Sequence, residues 1–95
     1  MTTVASFAPG SGTLLPTTTL SANVTIPSGG TIAAVTNLGN ALAFIDIGTT
    51  STLVATNTGF PILIGEQEFI TIGTATTLAA VSLAGVTQLS VVVGN

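Results

Sequence analysis

Residues 22–47, ANVTIPSGGTIAAVTNLGNALAFIDI, decide the fold. Three runs of β-branched and apolar residues are cut by two turn signals, PSGG at Pro27 to Gly30 and NLGN at Asn37 to Asn40. Glycine reaches positive φ without a Cβ clash and Asn tolerates it best among the others, so both segments read as reversals of the chain. The runs between them are too short for helices and rich in Val, Ile and Thr, which pack well on a pleated surface. In the first run Ala22, Val24 and Ile26 oppose Asn23 and Thr25, giving one core face and one solvent face. The third run, Ala41 to Ile47, behaves differently. Leu42 and Phe44, with Asp46, point one way, while Ala43, Ile45 and Ile47 point the other. Both its faces call for burial, which in so small a domain sets one face on the core and the other on a second protein.

The same grammar extends in the C-terminal direction. The strand expectations are Ala22 to Ile26, Thr31 to Asn37, Ala41 to Ile47, Thr52 to Thr56, Pro61 to Ile64, Gln67 to Ile72, Leu78 to Leu83 and Thr87 to Val93. Leu89, Val91 and Val93 alternate with Gln88 and Ser90 in the last of these. The segment LAAVSLAG carries a weak helical signal, but its strand neighbours and the β-branched Thr77 and Val81 favour a strand. Toward the N-terminus the regularity stops. MTTVASFAPGSGTLLPTTTL holds two of the four prolines and no sustained period, so residues 1–20 read as an extended arm. Its apolar residues Phe7, Leu14 and Leu15 are spaced like anchors for a neighbouring subunit; a frayed threonine-rich terminus is the alternative. The expected fold is all-β: a small antiparallel β-sandwich or barrel, jelly-roll-like, of about eight short strands over residues 21–95, preceded by the arm.

Composition then removes most functions. Ninety-five residues hold one core of modest size. Charged residues make up 3% of the chain against roughly 25% in ordinary soluble domains, and all three are acidic: Asp46, Glu66 and Glu68. With a net charge of -3 and no Lys or Arg, nothing neutralises phosphates, so no nucleic-acid partner is expected. The absence of Cys and His removes thiol chemistry, disulfides, the usual zinc sites and the most versatile general base, and no cofactor is expected. Mean hydropathy is high at +0.86, yet the longest apolar runs, such as Ala41 to Ile45, fall far short of the roughly 20 residues of a membrane span. No membrane partner is expected, and the opening MTTVASFAPGSG lacks the basic and apolar regions of a secretory signal. Nineteen threonines take over the solubilising role that charges usually fill. A monomer with 46% apolar residues and so little charge would expose aggregation-prone edges, so a stable oligomer or a place in a larger assembly is expected.

The candidate sites are few. Glu66 and Glu68 share a strand face, and paired carboxylates serve glycoside hydrolysis or calcium binding. The chain has no Trp or Tyr platform for a sugar and no spaced Asp/Asn calcium loop, so these acids read as solvated charges near turns, with a capping or interface role for Asp46. Asn23-Val24-Thr25 matches a glycosylation sequon that arises often by chance among so many threonines. Phe7, Phe44, Phe60 and Phe69 read as core or interface fillers. No nucleophile has a base beside it, so no enzyme is expected and no catalytic or metal-binding residue is assigned. The interface expectation rests on Phe7, Leu14 and Leu15 of the arm and on Leu42, Phe44, Ile45 and Ile47 of the two-sided strand.

The ordered pattern TIPSGGTIAAVTNLGNALAFIDIGT, GFPILIGEQEFITIG and TLAAVSLAGVTQLSVVVGN, from Thr25 to Asn95, resembles small structural proteins of tailed bacteriophages. The resemblance covers about three quarters of the chain and consists of strand and turn patterns, with no catalytic signature. It implies an antiparallel β-body on a virion, made in the host cytoplasm and carried on the capsid surface as a cement or decoration protein. The implied partners are further copies of the chain, as a homotrimer, and the major capsid protein. A tail, collar or fibre component with receptor or sugar binding is the alternative. The lack of any Lys or Arg departs from the look-alikes and speaks against inward contact with packaged DNA.

Overall fold

The structure, a computed structural model, describes residues 9–95. Among the described residues eight strands follow one another without a helix: β1 (Pro9–Thr17), β2 (Ala22–Thr25), β3 (Ile32–Asn37), β4 (Ala43–Gly48), β5 (Phe60–Ile62), β6 (Gln67–Thr71), β7 (Thr77–Ser82) and β8 (Thr87–Gly94). They form two antiparallel four-stranded sheets, ordered β1-β8-β3-β6 and β2-β7-β4-β5. First pairs with last, β2 with β7, β3 with β6 and β4 with β5. This is a long hairpin rolled on itself, the eight-stranded jelly roll.

The alternations expected from the sequence decide which atoms meet between the sheets. From one sheet come Leu15, Leu89, Val91, Val93, Ala33 and Val35; from the other come Leu78, Ala80, Ala43, Ile45 and Ile62, all buried in one cluster. Ala22 and Val24 of β2 and Ile47 of β4 pack against its margin.

Two expectations need correction. The segment read as an arm is, over residues 9–17, the integral edge strand β1, registered on β8 from Pro9 opposite Gly94 to Thr17 opposite Thr87. Gly10 stands where β8 comes too close for a side chain: a Cβ there would lie 2.8 Å from the Val93 carbonyl oxygen, and the pairing shifts register between Pro9 and Gly12. Residues 52–56, expected as a strand, belong instead to the loop 49–59 between β4 and β5. That loop folds over the outer face of the second sheet. Leu53 and Ala55 pack there with Phe44, Ala79 and Val81. Polar bonds pin it on both sides: Asn23 Nδ2 donates to the Ser51 and Leu53 carbonyls at 3.1 Å each, the Ala55 amide donates to Ser21 Oγ at 2.8 Å, and the Thr56 amide reaches Asp46 Oδ2 at 3.4 Å. The same loop explains why β7, TLAAVS, is buried at every position.

Candidate functional site

Because consecutive strands alternate in direction, the loops divide between the two ends of the roll. The β1–β2, β3–β4, β5–β6 and β7–β8 connections gather at one end, where backbone bonds tie them together. The Ser82 amide donates to the Thr18 carbonyl at 2.7 Å, that of Leu38 to Gln88 at 2.8 Å, that of Leu83 to Leu42 at 3.1 Å and that of Gly65 to Asn37 at 3.2 Å. Beneath them Asn37, 1% exposed, links both sheets. Its Nδ2 donates to the Ala41 carbonyl at 2.8 Å and to the Ile62 carbonyl at 3.0 Å, and its Oδ1 accepts from the Thr87 hydroxyl at 2.5 Å and the Gly39 amide at 3.2 Å. Gly39 has no room for a side chain, since a Cβ there would collide with Thr87. The turns above this staple are held in fixed shapes; Gly65 at φ 75° and Gly85 at φ 80° occupy the left-handed region that only glycine adopts freely.

On that rigid end stand Leu20, Leu38, Leu63, Ile64, Leu83 and Val86, all exposed. They are six of the ten exposed large apolar side chains among the described residues. The opposite end, built from residues 26–31, 49–59 and 72–76, is threonine-rich and contributes one, Val54. The signal was present in the sequence as leucine, isoleucine or valine inside turn motifs, NLGN, LIGE and LAGV, where polar residues are usual.

A second feature lies on the flank where β5 and β6, the outer strands of the two sheets, come together. β5 pairs with β4 only over Ala43 to Ile45, which leaves the next residues of β4 beyond its reach. A groove of about 470 Å³ opens there, lined by Ile45, Asp46 and Ile47 of β4, Phe60 of β5 and Ile70 of β6; the Asp46 carboxylate turns to the other face of β4, where it accepts the Thr56 amide. Phe69 and Thr71 complete the β6 side. Glu68 stands two residues before Ile70 on the same face of β6, opposite Val35. A hydrogen bond shared with Glu66 holds the Glu68 carboxyl above its ordinary pKa of 4.5, with lesser contributions from burial and from the Glu66 charge. Glu66 Oε1 also accepts the Leu63 amide at 3.3 Å across the turn. Among the described residues no three acidic groups converge to hold a metal ion.

The residues expected to form an interface are therefore distributed differently from the sequence reading. Leu15 and Ile45 lie inside the chain's own core and Ile47 packs on its margin. Phe44 is half-buried under the loop 49–59, so part of the second face of β4 is covered by the chain's own loop. Leu42 is half-buried in the β3–β4 connection, and Leu14 alone is exposed, on the outer face of β1. Phe7 lies outside the described residues. Asn23 of the sequon is engaged in holding the loop.

Comparison with known proteins returns no match: no protein-family model fits the chain, and neither a curated protein nor a solved structure is significantly similar to it.

Proposed function

We propose that this protein is a non-enzymatic structural component of a phage virion, a capsid-decorating cement protein that seats its apolar loop end against the major capsid protein and clusters as a homotrimer. The observation that carries the reading is the concentration of six exposed large apolar side chains on one rigid end of the roll. Monomeric surfaces rarely gather such patches without a partner to cover them. The jelly roll is an architecture of capsid and lectin domains, and the sequence resemblance to phage structural proteins points to the first. Copies of such a body on a shell cluster on its symmetry axes.

The test is the copy number of the chain in purified particles, measured by intact-mass spectrometry against the major capsid protein, since trypsin has no Lys or Arg to cut. Hundreds of copies in fixed ratio to the coat are expected. A handful would move the protein to a tail, collar or fibre, and none would remove it from the virion. Leu38→Ser, Leu63→Ser and Val86→Ser combined are expected to abolish binding to coat shells while leaving the unfolding transition in place, because all three side chains are already exposed. Unchanged binding would exclude the loop end as the docking surface.

A further inference from the structure

The two outer faces of the roll differ. That of the β2-β7-β4-β5 sheet is partly covered by the chain's own loop 49–59 and carries Asp46, bonded to that loop. Among the described residues no loop forms an apolar cluster on the outer face of the β1-β8-β3-β6 sheet. Alternation from the buried Leu15, Val35 and Val91 puts Leu14, Ile32, Ala34, Val92 and Phe69 on this face, with Val92 and Phe69 in register on either side of Ala34. The polar positions between them are neutral: Ser90, Thr71, and Thr36 with Gln67, whose amide donates to the Thr36 hydroxyl at 2.9 Å. None of the three carboxylates of the chain lies here. Glu68 is opposite the core residue Val35, and Glu66 bonds across the turn before β6 to the Leu63 amide.

That neutrality selects the occupant. About a quarter of the residues in ordinary soluble proteins are charged, and a charge buried against this face would find no opposite partner. A second copy brings only the same neutral side chains, so two such faces meet without opposing charges, whereas copies meeting on the Asp46 face would set carboxylates against one another. The strands run between the threonine-rich end and the loop end. Rotation about an axis parallel to them leaves every loop end pointing the same way, as bodies seated on one shell require. In a threefold ring each contact is heterologous, so the β1 margin of one copy meets the β6 margin of the next. Those margins carry Leu14 and Phe69, 52% and 55% exposed.

We propose that three copies close around such an axis through the outer faces of their β1-β8-β3-β6 sheets, Leu14 of each copy packing on Phe69 of the next. The inference deepens the virion reading, from which it takes the threefold clustering, and it leaves the loop ends free for the coat.

Sedimentation equilibrium of the full-length protein tests it. The wild-type chain is expected to be a trimer. Leu14→Lys alone and Phe69→Glu alone are each expected to dissociate it to monomers, because each buries a lone charge, while the two together restore the trimer by setting opposite charges across every boundary. Leu38→Ser, Leu63→Ser and Val86→Ser combined are expected to leave the trimer intact. A second measurement needs no variant: in the wild-type protein a soluble paramagnetic agent is expected to spare the methyl resonances of Leu14, Ile32 and Val92 and to broaden those of Leu38, Leu63 and Val86. A wild-type monomer or dimer, a trimer indifferent to the single substitutions, no recovery in the double variant, or the reverse pattern of broadening would each overturn the proposal. A trimer that ignores these substitutions leaves the virion reading standing, whereas a low copy number in particles fails that reading alone.

Discussion

Asn37 and Glu68 are two polar side chains whose surroundings bear on the folded state in opposite ways. Asn37 satisfies two carbonyls, a hydroxyl and an amide in a site that water does not reach. Its replacement strands buried polar partners, which costs more than the bonds themselves gain. Asn37→Ala is expected to lose about 3 kcal/mol in urea unfolding, a fall in melting temperature on the order of 15 °C for a domain of this size. A loss near zero would show that the staple is dispensable. Glu68 acts in the opposite direction. Its folded pKa is raised, so the folded state binds the proton more tightly than the unfolded chain does. The ionised Glu68 therefore weakens the fold above its folded pKa, and stability returns as the pH falls through that value toward 4.5. With no Lys, Arg or His, acidification breaks no side-chain ion pair that would reverse the trend. The melting temperature is expected to be higher near pH 4.5 than at neutrality, and Glu68→Gln is expected to raise it at neutrality and flatten the profile. A midpoint that falls steadily with acid would contradict this assignment.

At the level of elements, legibility followed the source of the signal. β2 and β8 were readable because alternation along a strand reports its own two faces. Residues 52–56 have strand-like composition, yet they are held by side chains of Ser21 and Asn23 rather than by a ladder, and no local pattern encodes a partner about thirty residues away in sequence. β1 was missed for the converse reason. Its Pro-Gly-Ser-Gly opening has turn chemistry, but here Gly10 relieves a close approach to β8, the far end of the chain. The two-sided hydrophobicity of β4 is legible in the sequence, but the loop that packs on its outer face at Phe44 is not, because a sequence shows that a face needs burial without showing what buries it. The loop 49–59 is the element on which that cover depends. Asn23→Ala removes both side-chain bonds that hold Ser51 and Leu53. It is expected to cost about 1 kcal/mol and to speed hydrogen exchange at the Ala55 amide, since Phe44 and Val81 lose their lid. Unchanged exchange there would show that apolar packing alone keeps the loop in place.

For the whole molecule, the pairing of first strand with last sets the behaviour. Sheet order β1-β8-β3-β6 means that the strand completed last is sandwiched between one from the start of the chain and one from its middle. Such non-local pairing makes folding slow, because loop closure must precede the contacts that reward it. It also makes β1 a structural closure rather than an appendage. Leu15 and Thr17 reach the interior from β1, and without them Leu89 and Val91 of β8 lose cover on that side. β8 would then become an edge eight residues long, apolar on its inner face and free of proline and charge. Edges of that kind pair with other chains. Truncation to residues 18–95 is therefore expected to abolish cooperative unfolding and drive the protein into aggregates on size-exclusion chromatography, whereas an arm serving only a neighbour would leave a folded body behind. A truncated chain that kept a sharp thermal transition would show that the remaining seven strands close the core alone, and it would return residues 9–17 to a purely intermolecular role.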